Sequence, residues 1–260
     1  MARRHEHGSK ESTDDAGGTG KEDTHGPILA SAATVAPMPD WMRAAKAHPS
    51  ALLLAAQLIG LFVYPFLGES PTGRAAVSLF GLIALVLAVW AVRATPALTW
   101  VALLLGVPVV IATVLEALQP GNEAILLWSS VLHAVFYLYT SYGLLRYMFS
   151  DQRVTRDELF AVGATFTVVA WAFAYLYVAC QIVWPGSFIA AVNSESPRTW
   201  LELLFLSFTT LTSTGLSDVV PVQPQARALV MTEQLAGVMY LALVVSRLVG
   251  LTLAGRRSEA

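Results

Sequence analysis

Two long apolar runs, residues 159–183 and 226–253, enclose a stretch that reads Phe208-Thr209-Thr210-Leu211-Thr212-Ser213-Thr214-Gly215-Leu216-Ser217-Asp218-Val219-Val220-Pro221. The stretch carries too many hydroxyls to cross a bilayer, although both of its neighbours are long enough to do so. Irregular backbone survives at membrane depth only when it is buried in protein or lines a watery cavity. The stretch is therefore expected to enter the membrane and turn back, as a short helix followed by a loop that faces an aqueous path.

The composition agrees. The 260 residues are 55% hydrophobic and 13% charged, whereas a soluble domain carries about 25% charged residues. Residues 1–48 hold many of the charges, and the rest is a series of apolar blocks of roughly 17–28 residues, long enough to cross a hydrocarbon core of about 30 Å. The fold class is an all-α membrane protein. A net charge of -2 gives no support for nucleic-acid binding, and the single Cys180 excludes both an intrachain disulfide and a multi-cysteine metal site. Cys180, near the outer end of an apolar helix, is read as a packing residue. Paired carboxylates, a nucleophile beside a histidine and a phosphate-binding glycine loop are all missing from the sequence, which speaks against an enzyme.

Residues 1–48 are polar, glycine-rich and without apolar period, a pattern that predicts disorder with a short interfacial segment at Trp41, Met42, Arg43 and Lys46. His5, His7 and His25 are scattered and read as solvated. No apolar stretch follows the Arg3-Arg4 pair closely enough for a signal peptide. Residues 49–150 form four spans, at about 50–67, 74–92, 97–118 and 123–149, with a kink expected at Pro108. Residues 151–260 hold a fifth span at 158–183 and a sixth at 226–253, with the polar stretch between them. Arg43, Lys46, Arg93, Arg146, Arg153, Arg156, Arg256 and Arg257 fall on one side of this six-span layout, and Arg74 is nearly alone on the other before the stretch. The positive-inside rule then places both termini in the cytoplasm and the polar stretch at the outer face of a cell membrane.

Ser196-Pro197 offers a start for the short helix, since serine caps free amides and proline suits the first helical position. From there to Thr210 is about 14 residues, or roughly 21 Å, too short to span. The negative, C-terminal end of such a helix points at the membrane centre, and no lysine or arginine follows Arg198 in the helix to cancel it.

The order Thr210-Leu211-Thr212-Ser213-Thr214-Gly215-Leu216-Ser217-Asp218-Val219-Val220-Pro221 resembles the pore loop of the potassium-channel superfamily, Thr-x-Thr-Thr-Val-Gly-Tyr-Gly-Asp-x-x-Pro. Thr210, Thr212, Gly215, Asp218 and Pro221 match, and Ser213 stands for the first filter threonine. Arg227 and Gly237 fall where that family often has an arginine and the inner-helix hinge glycine. The resemblance covers about residues 157–254. It implies a re-entrant pore helix between the fifth and sixth spans, and a closed homotetramer in the lipid bilayer. It also implies a filter built from Thr212, Ser213, Thr214, Gly215, Leu216 and Ser217, with monovalent cations, potassium or sodium, at Ser213, Thr214 and Gly215. There backbone carbonyls and hydroxyls would replace the ion's water shell. Asp218 would lie at the outer mouth and concentrate cations. No cofactor beyond the permeant ions is implied.

The departures from the pattern carry the expected function. Thr214 replaces valine, Leu216 replaces the tyrosine that braces the filter, and Ser217 replaces a glycine. A left-handed serine costs about 1–2 kcal/mol, so the outer half of the filter should take another shape. Phe205 and Leu206, at the bracing positions of the pore helix, cannot make the usual hydrogen bond. A wider filter with weak preference between potassium and sodium is expected; a strictly potassium-selective channel and a non-conducting protein that keeps the pore fold are the alternatives. Phe205, Thr209, Thr210 and Glu233 are expected to support the pore helix, Glu233 by binding its hydroxyls, Thr209 included. Gly237 is read as a hinge or as a close-packing site. Arg247 is read as snorkelling at the cytoplasmic end, with a gate or lipid contact as the other option. The fourth span has no basic residue before Arg146, which argues against voltage sensing. His133, Tyr137, Thr140 and Ser141 share one face of that span, read as interhelical hydrogen bonding rather than a proton-sensitive or ligand-binding stripe. Glu116 is read as interfacial.

Overall fold

The computed structural model describes residues 48–67, 81, 83–84, 86–90, 96–150 and 155–259, with side chains omitted at 96–99 and 251–259. The chain divides into Met1–Pro37 and Met38–Ala260, and everything below concerns the second unit. The expected N-terminal segment, the turn at 68–73 and the basic residues Arg43, Lys46, Arg74, Arg93 and Arg153 lie outside the described residues.

The architecture is mostly helical: α1 Pro49–Leu67, α2 Pro96–Leu118, α3 Glu123–Met148, α4 Arg156–Val183, a strand β1 Phe188–Ala190, the short α5 Trp200–Leu211, a strand β2 Val219–Pro221, and α6 Pro224–Glu259. Among the described residues five helices are long and apolar enough to cross a membrane, within α1, α2, α3, α4 and α6. Helical residues at 81, 83–84 and 86–90 fall inside the expected second span, the rest of which lies outside the described residues.

Local chemistry sets the helix ends. Pro49 and Pro224 occupy first positions, where the missing N–H costs nothing. Asn122 caps α3 by accepting from the amides of Ala124 and Ile125 at 3.1 and 3.3 Å. Thr155 caps α4 by accepting from the amide of Glu158, and Asp157 and Glu158 place negative charge in its first turn, where the helix dipole favours it. The helix α2 runs on through Pro108 as one element.

The central helix is α4, which packs on α1, α3, α5 and α6. Small residues such as Ala164, Ala170, Ala172 and Ala174, all fully buried, let its neighbours come close. At one end Asp157 ties in α1 and α3: it accepts from the backbone N–H and hydroxyl of Ser50, at 3.1 and 2.9 Å, and from Tyr147.

The two strands were not foreseen in the sequence. They form an antiparallel ribbon with Phe188 opposite Pro221 and Ala190 opposite Val219, extended by Val222 donating to the Ser187 carbonyl at 3.0 Å. This ribbon joins the chain entering α5 to the chain leaving the polar loop, so α5 and the loop are clasped at their base.

Candidate functional site: the short helix α5, its loop and the helix behind

The approach to α5 is anchored by Arg198, which is buried. Its guanidinium donates to the carbonyls of Val192, Asn193 and Ser196 and lies 3.5 Å from Glu202. Its backbone pairs with both ends of the Gln181 amide, at 2.8 and 2.9 Å. The helix starts three residues later than the sequence suggested. Thr199 and Glu202 form a reciprocal capping box, with Thr199 accepting from the Glu202 amide at 3.3 Å and Glu202 accepting from the Thr199 amide at 2.7 Å. Ser196 and Pro197 stay outside, because the box satisfies the first free amides and the Arg198 anchor holds the preceding turn out of helical shape.

At its other end α5 closes in a Schellman turn. The Ser213 amide donates to the Thr210 carbonyl at 2.9 Å, and the Thr214 and Gly215 amides both donate to the Thr209 carbonyl, at 3.0 and 3.1 Å. Hydroxyls reinforce it: Thr212 donates to the Phe208 carbonyl at 2.7 Å, and Thr214 to the Thr209 carbonyl at 3.2 Å. Ser213 and Gly215 have φ of 59° and 65°. The left-handed serine is thus Ser213, at the position where this motif prefers glycine, and not Ser217. Ser217 instead accepts from the Val219 amide at 3.0 Å and starts β2.

The consequence is an asymmetric loop. Amides at 213, 214 and 215 turn inward to the helix end, whereas among the described residues no carbonyl from Thr212 to Ser217 accepts a hydrogen bond. Thr212, Ser213, Thr214, Gly215, Leu216 and Asp218 are exposed, Leu216 at 79%. Thr209 and Thr210 are buried, with the Thr209 hydroxyl donating to the Leu206 carbonyl at 2.9 Å. Phe205 is half exposed and Leu206 buried, and neither offers a polar brace for Leu216.

Two successive turns of α5 meet two successive turns of α6. Glu233 is fully buried and accepts from the Ser207 hydroxyl and, from α4, the Tyr177 hydroxyl. The expected partner Thr209 is not used, because its hydroxyl faces its own helix. One turn on, Gly237 lies against the Leu211 carbonyl so closely that a Cβ there would collide with backbone. This gives Gly237 a packing role, within a helix that continues unbroken on both sides. Ser207 and Tyr177 are functional-site residues that sequence reasoning passed over; the pointer was a lone carboxylate in an apolar helix, which must find donors.

Residues 163–253 match the family model described as an ion channel. Over these residues the chain is similar to that ion-channel family, which supports the resemblance to the potassium-channel superfamily. No curated protein and no solved structure matches the chain. The match begins within α4 and ends in α6, so it takes in the capping box, the loop, Glu233 and Gly237. Together with the helices long and apolar enough to cross a membrane, the match supports a membrane-embedded ion channel.

Toward the channel's far end, Arg247 of α6 pairs with Glu158 of α4 at 3.5 Å and lies over the Phe149 ring at 5.2 Å. It does not reach away from the protein as expected, because the acid in the first turn of α4 is within range. In the leading helices the polar stripe is buried and mostly satisfied by its own helix: Thr140 donates to the Phe136 carbonyl at 2.9 Å and Ser141 to the Tyr137 carbonyl at 2.8 Å. His133 Nδ1 lies 2.8 Å from the Ser129 carbonyl and its Nε2 3.3 Å from the Thr113 hydroxyl. Glu116, read as interfacial, accepts instead from Ser129 at 2.7 Å. Cys180 is buried in packing.

Proposed function

We propose that the protein assembles as a homotetramer, in which α5 is a re-entrant pore helix entering from outside and the loop Thr212 to Ser217 is a filter passing monovalent cations with weak preference between potassium and sodium. The observation that supports this best is the polarity of the loop: the amides at 213–215 and the Thr212 and Thr214 hydroxyls are spent on the end of α5, and its carbonyls are left free on exposed backbone. Four such loops around one axis would offer oxygens and no positive group, and the negative ends of four helices would favour a cation near the centre. The exposed apolar residues of α6, among them Met231, Leu235, Val238 and Val245, fit burial against neighbouring copies or lipid. In this reading the layout has six spans, with both termini cytoplasmic and Asp218 at the outer mouth. Residues 1–48 form a cytoplasmic segment, residues 49–150 a four-helix region without sensor charges, and residues 151–260 the pore domain.

Weak selectivity follows from three side chains. Leu216 is exposed and unbraced, Ser217 is committed to β2, and Ser213 carries the left-handed strain. The test is the bi-ionic reversal potential of the reconstituted channel. Wild type should show potassium and sodium permeabilities within about a factor of ten, a difference under about 1.4 kcal/mol. The triple variant Thr214→Val, Leu216→Tyr, Ser217→Gly should shift toward potassium. Rejection of sodium a hundredfold by wild type would overturn the reading of a loosened filter, and a folded tetramer that passes no cation would overturn the channel reading for this chain. Voltage dependence should be shallow, because each charge crossing 100 mV contributes about 2.3 kcal/mol and α3 has no basic residue before Arg146.

A further inference from the structure

The first residue of α5, Trp200, sits in a nest of rings. Its centroid lies 5.4 Å from Tyr64 of α1, and 5.7 Å from both Trp171 and Tyr175 of α4. Trp171 and Trp200, with Gly60, Leu61 and Tyr64, line a cavity of about 50 Å³. A single water needs roughly 10–15 Å³ of such space, so the cavity has room for a group of a few heavy atoms.

Two indole donors of its lining are unmet. Trp171 is 7% exposed, and the indole N–H groups of both Trp171 and Trp200 are buried without an acceptor. Gln57, on the same face of α1 as Gly60, Leu61 and Tyr64 by its spacing of three, four and seven, is fully buried with neither amide atom paired. Buried polar groups are almost always satisfied, and leaving several unmet in one interface is costly. The remaining polar groups of this region, such as Thr167 donating to the Gly163 carbonyl at 2.7 Å, are paired.

We propose that this cavity between α1, α4 and the first turn of α5 binds a neutral, hydrogen-bond-accepting amphiphile, one acceptor oxygen with a small apolar body. Indole N–H groups only donate, so the two unmet groups call for an acceptor. No lysine or arginine lines the cavity among the described residues, so an anion has no counter-charge. Aromatic and leucine walls suit the apolar body, and an ester or alcohol oxygen suits the donors. The ester of a membrane lipid and a free short-chain alcohol share this chemistry. Because Trp200 opens α5, occupancy biases the position of the pore helix. That consequence for current rests on the channel reading, whereas binding does not.

The experiment uses the full chain in nanodiscs of ester-linked lipid and, separately, of ether-linked lipid that lacks the ester carbonyl. The probe is tribromoethanol, which quenches nearby tryptophan emission. The expected result is a saturable quenching component in ether lipid that is lost in Gly60→Leu and in Leu61→Phe, both of which fill the cavity and keep both tryptophans. The second variant guards against misfolding of the first. In ester lipid, a half-quenching concentration raised at least about tenfold identifies the lipid ester as resident ligand, and an unchanged one identifies the free alcohol. In planar bilayers, current should change with the same half-concentration. Quenching that is linear without saturation, or equal in wild type and both filled variants, overturns the proposal. Saturable quenching without any current in wild type would leave the site standing and count against the channel reading alone.

Discussion

In α3, Ser130, Thr140 and Ser141 each donate to the carbonyl four residues back in the same helix, at 2.7, 2.9 and 2.8 Å. In the second half Thr167 and Thr212 do the same and Thr209 donates three residues back, but other polar groups reach across the fold. Tyr177 and Ser207 meet on Glu233, Tyr240 donates to the Val162 carbonyl at 2.6 Å, and Gln181 clasps the backbone of Arg198. Between helices in lipid there is little hydrophobic drive, so register comes from close packing and from polar contacts between elements. The leading helices combine packing and stacked rings, such as His133 on Tyr175 at 4.4 Å, with ties between helices such as Ser129 to Glu116 at 2.7 Å. The second half adds more such ties around α5, and they hold a loop of free carbonyls in one place.

The sharpest break of this contrast should come at Gly237. Gly237→Val forces a branched side chain into the Leu211 carbonyl at the end of the pore helix. Overpacking of this kind costs about 3 kcal/mol or more, and loss of the assembled, conducting protein is expected. Size-exclusion profile and ion flux check it. Normal assembly and current would mean that α6 stands off from α5 in the working channel.

Next in size is Glu233→Ala, which strands the Tyr177 hydroxyl in a dry interior and leaves Ser207 only the Ala170 carbonyl. A loss of about 2–3 kcal/mol is expected, read as a lowered unfolding midpoint in detergent. Glu233→Gln, which keeps one acceptor, should recover about half of it. Equal effects of the two variants would show that volume and not hydrogen bonding is at stake.

These two sites also show how far the sequence could be read. The apolar blocks located α3 and α4 within about two residues, since a span must be apolar throughout and Asn122 and Thr155 are cap residues beside it. The end of the pore helix near Thr210 was legible because the hydroxyl run changes character there. Its start was not. Ser196-Pro197 and Thr199-x-x-Glu202 are both start signals, and the choice is made by the burial of Arg198, a tertiary event. The β1–β2 ribbon joins two apolar triplets far apart in the chain, and nothing local marks them as partners. For Glu233 the need for a donor could be inferred, but the identity of Ser207 and Tyr177 depends on helix phase and packing, which residue types alone leave open.

The Glu158–Arg247 pair sharpens the comparison at a lower energy. Both side chains are mostly buried, at 7% and 13% exposure, so the pair is less screened than a surface ion pair. A double-mutant cycle with Glu158→Gln and Arg247→Gln should give a coupling of about 1 kcal/mol. A coupling near zero would place the attraction of Arg247 on the Phe149 ring alone.

The smallest effect is expected in α3, from Thr140→Ala combined with Ser141→Ala. Each hydroxyl donates to a carbonyl of its own helix, and that carbonyl also serves the backbone ladder. Removing the hydroxyl therefore strands no donor and no acceptor. Side-chain hydrogen bonds within membranes average about 0.6 kcal/mol, so the double variant should lose less than about 1 kcal/mol and keep its reversal potential unchanged. Ser207→Ala is the matched control from the pore half, the same hydroxyl removed from a contact shared by Glu233 and the Ala170 carbonyl. Its expected loss is about 2 kcal/mol, with a changed permeability ratio, because the α5–α6 contact beside the filter loosens. Both variants are to be unfolded in the same detergent and recorded in the same bilayer. If the α3 variant lost as much as Ser207→Ala, the reach of a polar contact along the chain would not be what separates the two halves, and burial alone would have to account for both.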